Sequence, residues 1–234
     1  TLHPLHQPGH FRRAAGSRIE IASWAARFTP SISLDTSAVL LEVEASLRLF
    51  GGLPPLCDAI LGGLGELGFD GRLAVAPSPL AARWLARFAP GSLICEGSAL
   101  EVAIDALPLA ALADDGGLDD TTLELLSGVG AGSLGDVRRL PRSGLARRQA
   151  RQAIDLLDRA CGHTPDPRPW FAPPERHASR LPLPAPTDQV DSLLFALRRL
   201  LGGLSGWLEA RHGGLEAFTL VLEHERNRHG AETR

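Results

Sequence analysis

The chain has 234 residues, of which 44% are hydrophobic and 22% are charged, and its formal net charge is −3 at pH 7. This composition is typical of a folded protein with one large or two to three small domains. The near-neutral charge argues against a chain that is basic throughout. No apolar run approaches the length needed to cross a bilayer, so we expect a cytoplasmic protein that is not bound to a membrane.

The first hundred residues alternate between helix and strand patterns. Apolar side chains at a spacing of 3.6 predict helices, and short β-branched or leucine-rich runs bounded by polar clusters predict strands. The connections are short, which favours an α+β layer of a sheet with helices on one side. We predict helices at residues 17–28, 53–68 and 78–90 and strands at residues 38–43, 71–77 and 92–96.

Two carboxylates lie two residues apart in the strand pattern AVLLEV. Alternation places Glu42 and Glu44 on the same face as Leu40, because successive side chains of a strand point to opposite sides. Such a pair either presents acids to a metal ion or forms the polar face of the strand. We favour the polar face.

The residues from about 103 to 162 lose the strand pattern and alternate short helices with glycine and aspartate breaks. The run GAGSLG matches the dinucleotide-binding fingerprint, but that fingerprint requires a preceding strand, and the residues before it are helical in pattern. A helix-hairpin-helix joint is the better interpretation. Amide groups at such a joint commonly hold a nucleic-acid phosphate, and we assign this role to Gly128, Gly130 and Gly132.

A dense basic segment follows the hairpin. In an otherwise acidic chain it is either a solvated helix face or a surface for the phosphate backbone. The adjacent glycine hairpin favours nucleic acid, because both features would contact the same backbone. We assign the contact to Arg138, Arg139, Arg142, Arg147, Arg148 and Arg151.

The last seventy residues begin with a linker that is rich in proline. Residues 163–177 contain five prolines and no periodicity, which predicts an extended linker. Beyond it, residues 180–186 predict an edge strand, residues 187–214 an amphipathic helix capped by Thr187, and residues 215–225 a further strand. Together they form an incomplete β-α-β unit.

The order of these segments resembles the Y-family (UmuC- and DinB-like) translesion DNA polymerases, and within them the inactive ImuB-type branch. The resemblance runs from about residue 20 to 225 and is carried by the stretches FTPSISLDTSAVLLEVEASLRLFGG, GELGFDGRLAVAPSPLAARWLAR and GVGAGSLGDVRRLPRSGLARR.

The resemblance implies a division of the chain into parts of a polymerase. Residues 1–103 would be a partial ferredoxin-like palm without its N-terminal strand and fingers, which would leave an unpaired edge in the sheet. Residues 104–162 would be the helical thumb with its helix-hairpin-helix. Residues 163–179 would be the linker, and residues 180–234 the N-terminal half of the little finger.

The resemblance also implies where the catalytic carboxylates of an active relative would lie. Active Y-family polymerases carry an adjacent Asp-Glu pair that holds two metal ions. Alignment on the strand and on LFGG places Ser37 and Ala38 at these positions, and neither is a useful ligand for a divalent metal. Asp35 lies two residues earlier, about 6–7 Å along an extended strand. We therefore predict no catalytic, cofactor-binding or metal-binding residues.

Three hypotheses follow. The first is a non-catalytic homologue that binds primer-template DNA and scaffolds damage-induced, error-prone translesion synthesis. The resemblance implies as partners an error-prone replicative-type polymerase, a recombinase-like accessory protein, and the sliding clamp through a tail. The second is an active, Mg²⁺-dependent polymerase with a shifted carboxylate set that includes Asp35 and Glu42. The third is a protein-interaction module whose arginines contact an acidic partner.

Overall fold

A computed structural model describes residues 2–4, 11–114, 117–147, 150–183 and 185–223. The strands are β1 (Leu2–Pro4), β2 (Ile32–Leu34), β3 (Val39–Leu41) and β4 (Gly71–Leu73). The helices of the first half are α1 (Phe11–Ala25), α2 (Leu53–Glu66), α3 (Pro79–Phe88) and α4 (Gly97–Asp105). Those of the second half are α5 (Asp120–Gly128), α6 (Leu134–Arg139), α7 (Arg142–Arg147), α8 (Arg151–Ala160) and α9 (Val190–Glu209). Two 3₁₀ turns cover Glu44–Ser46 and Leu109–Ala113.

The strands form one antiparallel sheet in the order β2-β3-β1-β4. Strand β1 pairs with β4 over all three of its residues and with β3 at Leu2, while β2 and β3 form a hairpin. The expectation of an unpaired edge where the palm lacks a first strand is therefore corrected, because Leu2–Pro4 lies between β3 and β4. A sheet with helices packed against it agrees with the predicted α+β class.

Two hydrophobic clusters hold the helices in place. The first combines α1, α2 and the sheet around Trp24, Ile32 and Leu56. The second combines α3 with the helical segment that follows it, and its largest fully buried side chain is Trp84. Helix α3 starts at the predicted cap, since the Ser78 hydroxyl accepts from the Ala81 amide at 3.2 Å. This helix therefore joins the sheet layer to the helical unit.

Three strand predictions are wrong among the described residues. Residues 92–96 contribute only a parallel bridge between Val75 and Leu93. Residues 180–183, 185 and 186 form no strand, and the prolines of this run cannot donate to a ladder. Residues 215–223 also form no strand, because an apolar alternation becomes a strand only beside a neighbour that takes its hydrogen bonds. Residues 224 and 225 lie outside the described part.

Helix α9 packs against α1 at very short range. A Cβ built on Gly206 would lie 2.6 Å from Trp24 Cδ1 and 3.0 Å from Trp24 Cα. An ion pair of 2.6 Å between Arg27 and Glu209 closes the end of the contact. The absence of a side chain at Gly206 is therefore what allows the two helices to approach this closely.

The proline-rich linker contains no helix or strand, and it is bound to the rest of the protein at several points. The Phe171 amide donates to the Ile32 carbonyl at 2.7 Å, which attaches the linker to the edge strand β2. Further along, Trp207 of α9 donates its indole N–H to the Pro174 carbonyl at 3.0 Å. The linker therefore bridges the sheet and α9.

No helix within the described ranges is both long enough and apolar enough to cross a membrane.

Replacing Gly206 by alanine should destabilise the protein, since the new methyl group collides with the backbone and ring of Trp24. We expect a loss of about 1–3 kcal/mol in the free energy of unfolding, measured by urea denaturation. The matched control is Gly62→Ala in α2, where a Cβ meets nothing within 4 Å. That change should stabilise the protein by about 0.4–1 kcal/mol. An unchanged or raised stability of the Gly206 variant would contradict the close helix contact.

Candidate nucleic-acid interface

The carboxylate nearest to the expected metal positions is held by two arginines. Asp35 Oδ2 lies 2.6 Å from Arg83 Nη1 on α3 and 2.5 Å from Arg168 Nη1 in the linker. Its other oxygen accepts the Thr36 amide at 2.8 Å. The Asp35 side chain is only 12% exposed. Both oxygens of this carboxylate are therefore already occupied by donors from the chain itself.

Each of these two arginines also contacts a further buried carboxylate of its own. Arg83 Nε lies 3.2 Å from Asp114, which in turn pairs with Arg87 at 2.7 Å. Arg168 Nη2 lies 2.9 Å from Asp166. We refer to Asp35, Arg83, Arg87, Asp114, Asp166 and Arg168 as the ion-pair network. Its three carboxylates and three guanidinium groups balance in charge, and they come from the sheet, α3, the helical segment and the linker.

The electrostatics at Asp35 do not suit a divalent metal. Burial raises the pKa of this carboxyl group, but the positive charge of Arg83, the Thr36 amide and Arg168 outweigh burial and hold the pKa below its usual value. The group is therefore ionised at neutral pH, yet a metal ion would have to displace two guanidinium groups and then lie beside them. Repulsion between like charges opposes this arrangement.

The other acids of the strand do not complete a metal site. Glu42 and Glu44 are exposed, as the polar-face interpretation predicted for both, although Glu44 lies on the 3₁₀ turn that follows β3. The Glu42 carboxylate accepts the Glu44 amide at 2.8 Å. Ala38 is fully buried and its carbonyl accepts the Asp35 amide. In the described part of the chain, no three His, Cys, Asp or Glu side chains are grouped to hold a metal.

The glycine hairpin is already bonded within the chain. Gly130 has a φ of +88°, which favours glycine, and its amide donates to the Ser127 carbonyl at 2.9 Å. The Gly132 amide donates to the Asp136 carboxylate at 3.0 Å. The third predicted residue, Gly128, is the last residue of α5. The amides of Gly130 and Gly132 are thus engaged within the chain, and a phosphate contact of the three glycines stays a prediction.

Asp136 is strongly held at this position. The Arg139 guanidinium, the Gly132 amide, and the Ser133 hydroxyl and amide all donate to it, and they hold its pKa well below the usual range. Its Ser133 partner closes a capping box at the start of α6. The hairpin is therefore a structural joint stabilised by an internal anion.

Three of the predicted arginines form ion pairs inside the helical unit. Arg138 contacts Glu101 at 2.6 Å and Asp105 at 2.9 Å. Arg139 contacts Asp136 at 2.7 Å, and Arg142 makes two bonds of 2.6 and 2.9 Å to Asp158. The arginine bond also lowers the pKa of Asp158. The basic segment is therefore less positive than its sequence suggests.

These arginines differ in how much of each side chain is exposed to solvent. The Arg139 and Arg142 side chains are 70% and 67% exposed, while Arg138 is mostly buried against α4. Exposed ion pairs contribute about 0–1 kcal/mol each, so Arg139 can exchange its carboxylate for a phosphate at little cost. Arg142 is held more firmly, because it makes two bonds to Asp158, whose side chain is only 16% exposed. Arg151 is exposed at the start of α8, with no ion pair among the described residues.

The remaining two predicted arginines add no described side-chain contact. Arg147 ends α7, and Arg148 lies outside the described residues. Of the six predicted arginines, those whose exposed side chains the structure describes are therefore Arg139, Arg142 and Arg151.

Sequence reasoning missed the ion-pair network, although one signal was present. Arg83 lies within α3 among residues that are all buried. A charged residue on a buried helix face requires a partner of opposite charge, so its position alone points to a buried acid. The identity of that acid depends on the tertiary fold and is not visible in the sequence.

Comparison with known proteins gives consistent matches. The chain is 30% identical over 225 residues to the protein ImuB of Caulobacter vibrioides, in two strains, covering 93% of this chain and 46% of that protein. The structure resembles the crystal structure of DinB from Sulfolobus solfataricus with a TM-score of 0.53 at 17% identity. It also resembles the insertion ternary complex of Dbh DNA polymerase with a TM-score of 0.52 at 16% identity. No family model matches the chain.

Each of the two structural matches covers 67% of this chain. They cover 48% of the DinB chain and 47% of the Dbh chain. The fold is that of a Y-family polymerase, in a chain that spans about half the length of the relatives it matches. The chain is thus similar to ImuB in sequence and to the Y-family polymerases in fold.

Replacing Asp35 by asparagine should destabilise the protein at neutral pH by about 3 kcal/mol, since it leaves two buried guanidinium groups without this anion. The pKa of Asp35 is lower in the folded than in the unfolded chain. The stabilisation that Asp35 provides is therefore fully present above its unfolded pKa of about 3.9 and is lost as the pH falls through its folded pKa. The difference between wild type and variant, measured by urea denaturation, should shrink as the pH falls below about 4.

The control for this change is Asp58→Asn, because Asp58 is exposed on α2. Its unfolding free energy should stay within about 0.5 kcal/mol of the wild type. If Asp35→Asn behaved like this control at pH 7, the network would not carry the stability assigned to it.

Proposed function

We propose that this chain is part of a non-catalytic Y-family polymerase homologue that binds primer-template DNA and scaffolds error-prone translesion synthesis after DNA damage. The observation that carries the proposal is the pairing of Asp35 with Arg83 and Arg168. Serine and alanine occupy the two positions that align with the catalytic pair, and the nearest acid holds the fold together. Within the described residues, no group of three His, Cys, Asp or Glu side chains is placed to hold a metal ion.

The DNA contact in this proposal belongs to the exposed arginines of the helical unit. Arg139, Arg142 and Arg151 can each neutralise a phosphate. Arg151 has no ion pair among the described residues, the exposed pair of Arg139 with Asp136 costs little to break, and Arg142 would exchange Asp158 for the phosphate. The hairpin contributes by fixing the position of α6, since its amides are bonded to Asp136 and Ser127. Binding of this kind is independent of sequence and sensitive to salt.

The remaining parts of the proposal concern the whole protein. A scaffold for translesion synthesis would assemble with an error-prone replicative-type polymerase, a recombinase-like accessory protein and, through a tail, the sliding clamp. Support for this role comes from the similarity to ImuB together with the missing catalytic carboxylates.

Replacing Arg142 by alanine should weaken binding to primer-template DNA, because one phosphate contact is lost. We expect the slope of log K against log salt to become shallower by about 0.9, and the same for Arg139→Ala. Fluorescence anisotropy over a range of salt concentrations measures both values. The matched control is Arg180→Ala, which removes an equal charge from an exposed residue paired with Glu223.

Wild-type affinity that does not change between low and moderate salt would contradict DNA binding by this surface. If instead DNA competed with an acidic protein for the arginines, the surface would bind both partners. The arginine variants would then weaken the binding of DNA and of the acidic protein to a similar extent.

A further inference from the structure

One tryptophan is exposed in the middle of the linker. The Trp170 side chain is 64% exposed, whereas Trp24 and Trp84 are buried in the two hydrophobic clusters. The fourth, Trp207, stacks with Arg211 at 4.2 Å and donates to Pro174. Among the described residues, Trp170 has neither a hydrogen bond nor a ring contact. Tryptophan is highly buried on average, so this exposure needs an explanation.

The backbone around Trp170 is firmly attached to the sheet layer. Two residues earlier, Arg168 pairs with Asp35 and Asp166. One residue later, the Phe171 amide donates to Ile32 and the Phe171 ring packs on the first cluster. Pro169 fixes its own φ between these anchors. The indole therefore extends from a segment that loses little conformational entropy on binding.

The position of this segment relates it to the proposed DNA surface. Arg83 bonds Asp35 of the sheet layer and Asp114 of the helical segment, and Arg168 bonds the same Asp35. Trp170 thus lies beside the junction of the palm and the helical unit that carries the exposed arginines.

The surroundings of Trp170 favour a flat ligand over a protein partner. Within residues 163–180 it is the one large hydrophobic side chain that is exposed. A protein-docking site needs a contiguous apolar patch around its anchor residue. This segment offers a single exposed ring, because the neighbouring Phe171 is partly buried against the first cluster. A nucleobase needs only one aromatic face, and every base has a π surface that can stack on it.

We propose that Trp170 is a stacking platform for an unpaired nucleobase of the bound DNA. The inference rests on the proposed DNA-binding function and adds a contact with the single-stranded part of a primer-template. The arginines supply the charge that holds the phosphate backbone, and Trp170 distinguishes an unpaired base from a base inside the duplex.

The test compares two DNA probes with the intact protein: a primer-template with a single-stranded 5′ overhang and a blunt duplex of equal length. Trp170→Ala should weaken binding to the overhang probe by about 5- to 150-fold and leave the blunt duplex unchanged. Trp170→Phe should restore most of the affinity. The salt slope should stay constant in both variants, because stacking releases no counterions.

The matched control is Phe195→Ala on α9, since Phe195 is also 64% exposed. This variant should bind both probes as the wild type does, and urea denaturation of Trp170→Ala should give the wild-type midpoint. If DNA binding depends on salt but Trp170→Ala keeps the wild-type preference for the overhang probe, the stacking role is overturned and the proposed function is left intact. An equal loss on both probes would also overturn it. A wild type that binds neither probe would overturn both proposals.

Discussion

Asp35 accepts ion pairs from Arg83 and Arg168, and the arrangement of the other segments depends on this contact. Through Arg83 it connects the sheet to the helical unit at Asp114, and through Arg168 it fixes the linker. Buried charges of this kind stabilise little compared with an apolar core, but removing one member is costly because the others lose their counter-charge. The network therefore specifies how the segments are placed more than it adds net stability.

The same contact bears on the proposal that the protein is not catalytic. A carboxylate close to the expected metal positions is used to hold the fold, and the aligned residues Ser37 and Ala38 carry no charge. The glycine hairpin is similar in this respect, because Asp136 accepts the amides of Gly132 and Ser133, at the place where the sequence predicts a phosphate contact. In both places an internal ion pair or hydrogen bond stands where a ligand was expected. The DNA contacts that we propose are therefore made by exposed guanidinium groups and one exposed indole.

The sequence predicted those features that depend on local physics. Helices α2 and α3 follow from apolar periodicity, prolines in the first turn and the Ser78 cap, all of which act within a few residues. The strands predicted at 180–186 and 215–225 failed in the described residues because a strand depends on a distant neighbour. The pair of Asp35 and Arg168 spans 133 positions, so no local pattern could reveal it. Likewise, the arginine pattern predicted a basic surface, but exposure alone separates Arg138 from Arg142.

In the proposed function, the protein binds primer-template DNA without extending it. This is tested by nucleotide incorporation by the full-length protein with Mg²⁺, at DNA concentrations where anisotropy shows the template to be bound. We expect bound DNA and no extension by the wild type. Mg²⁺-dependent extension that is abolished by Asp35→Ala or Glu42→Ala would contradict this proposal and establish an active polymerase with a shifted carboxylate set.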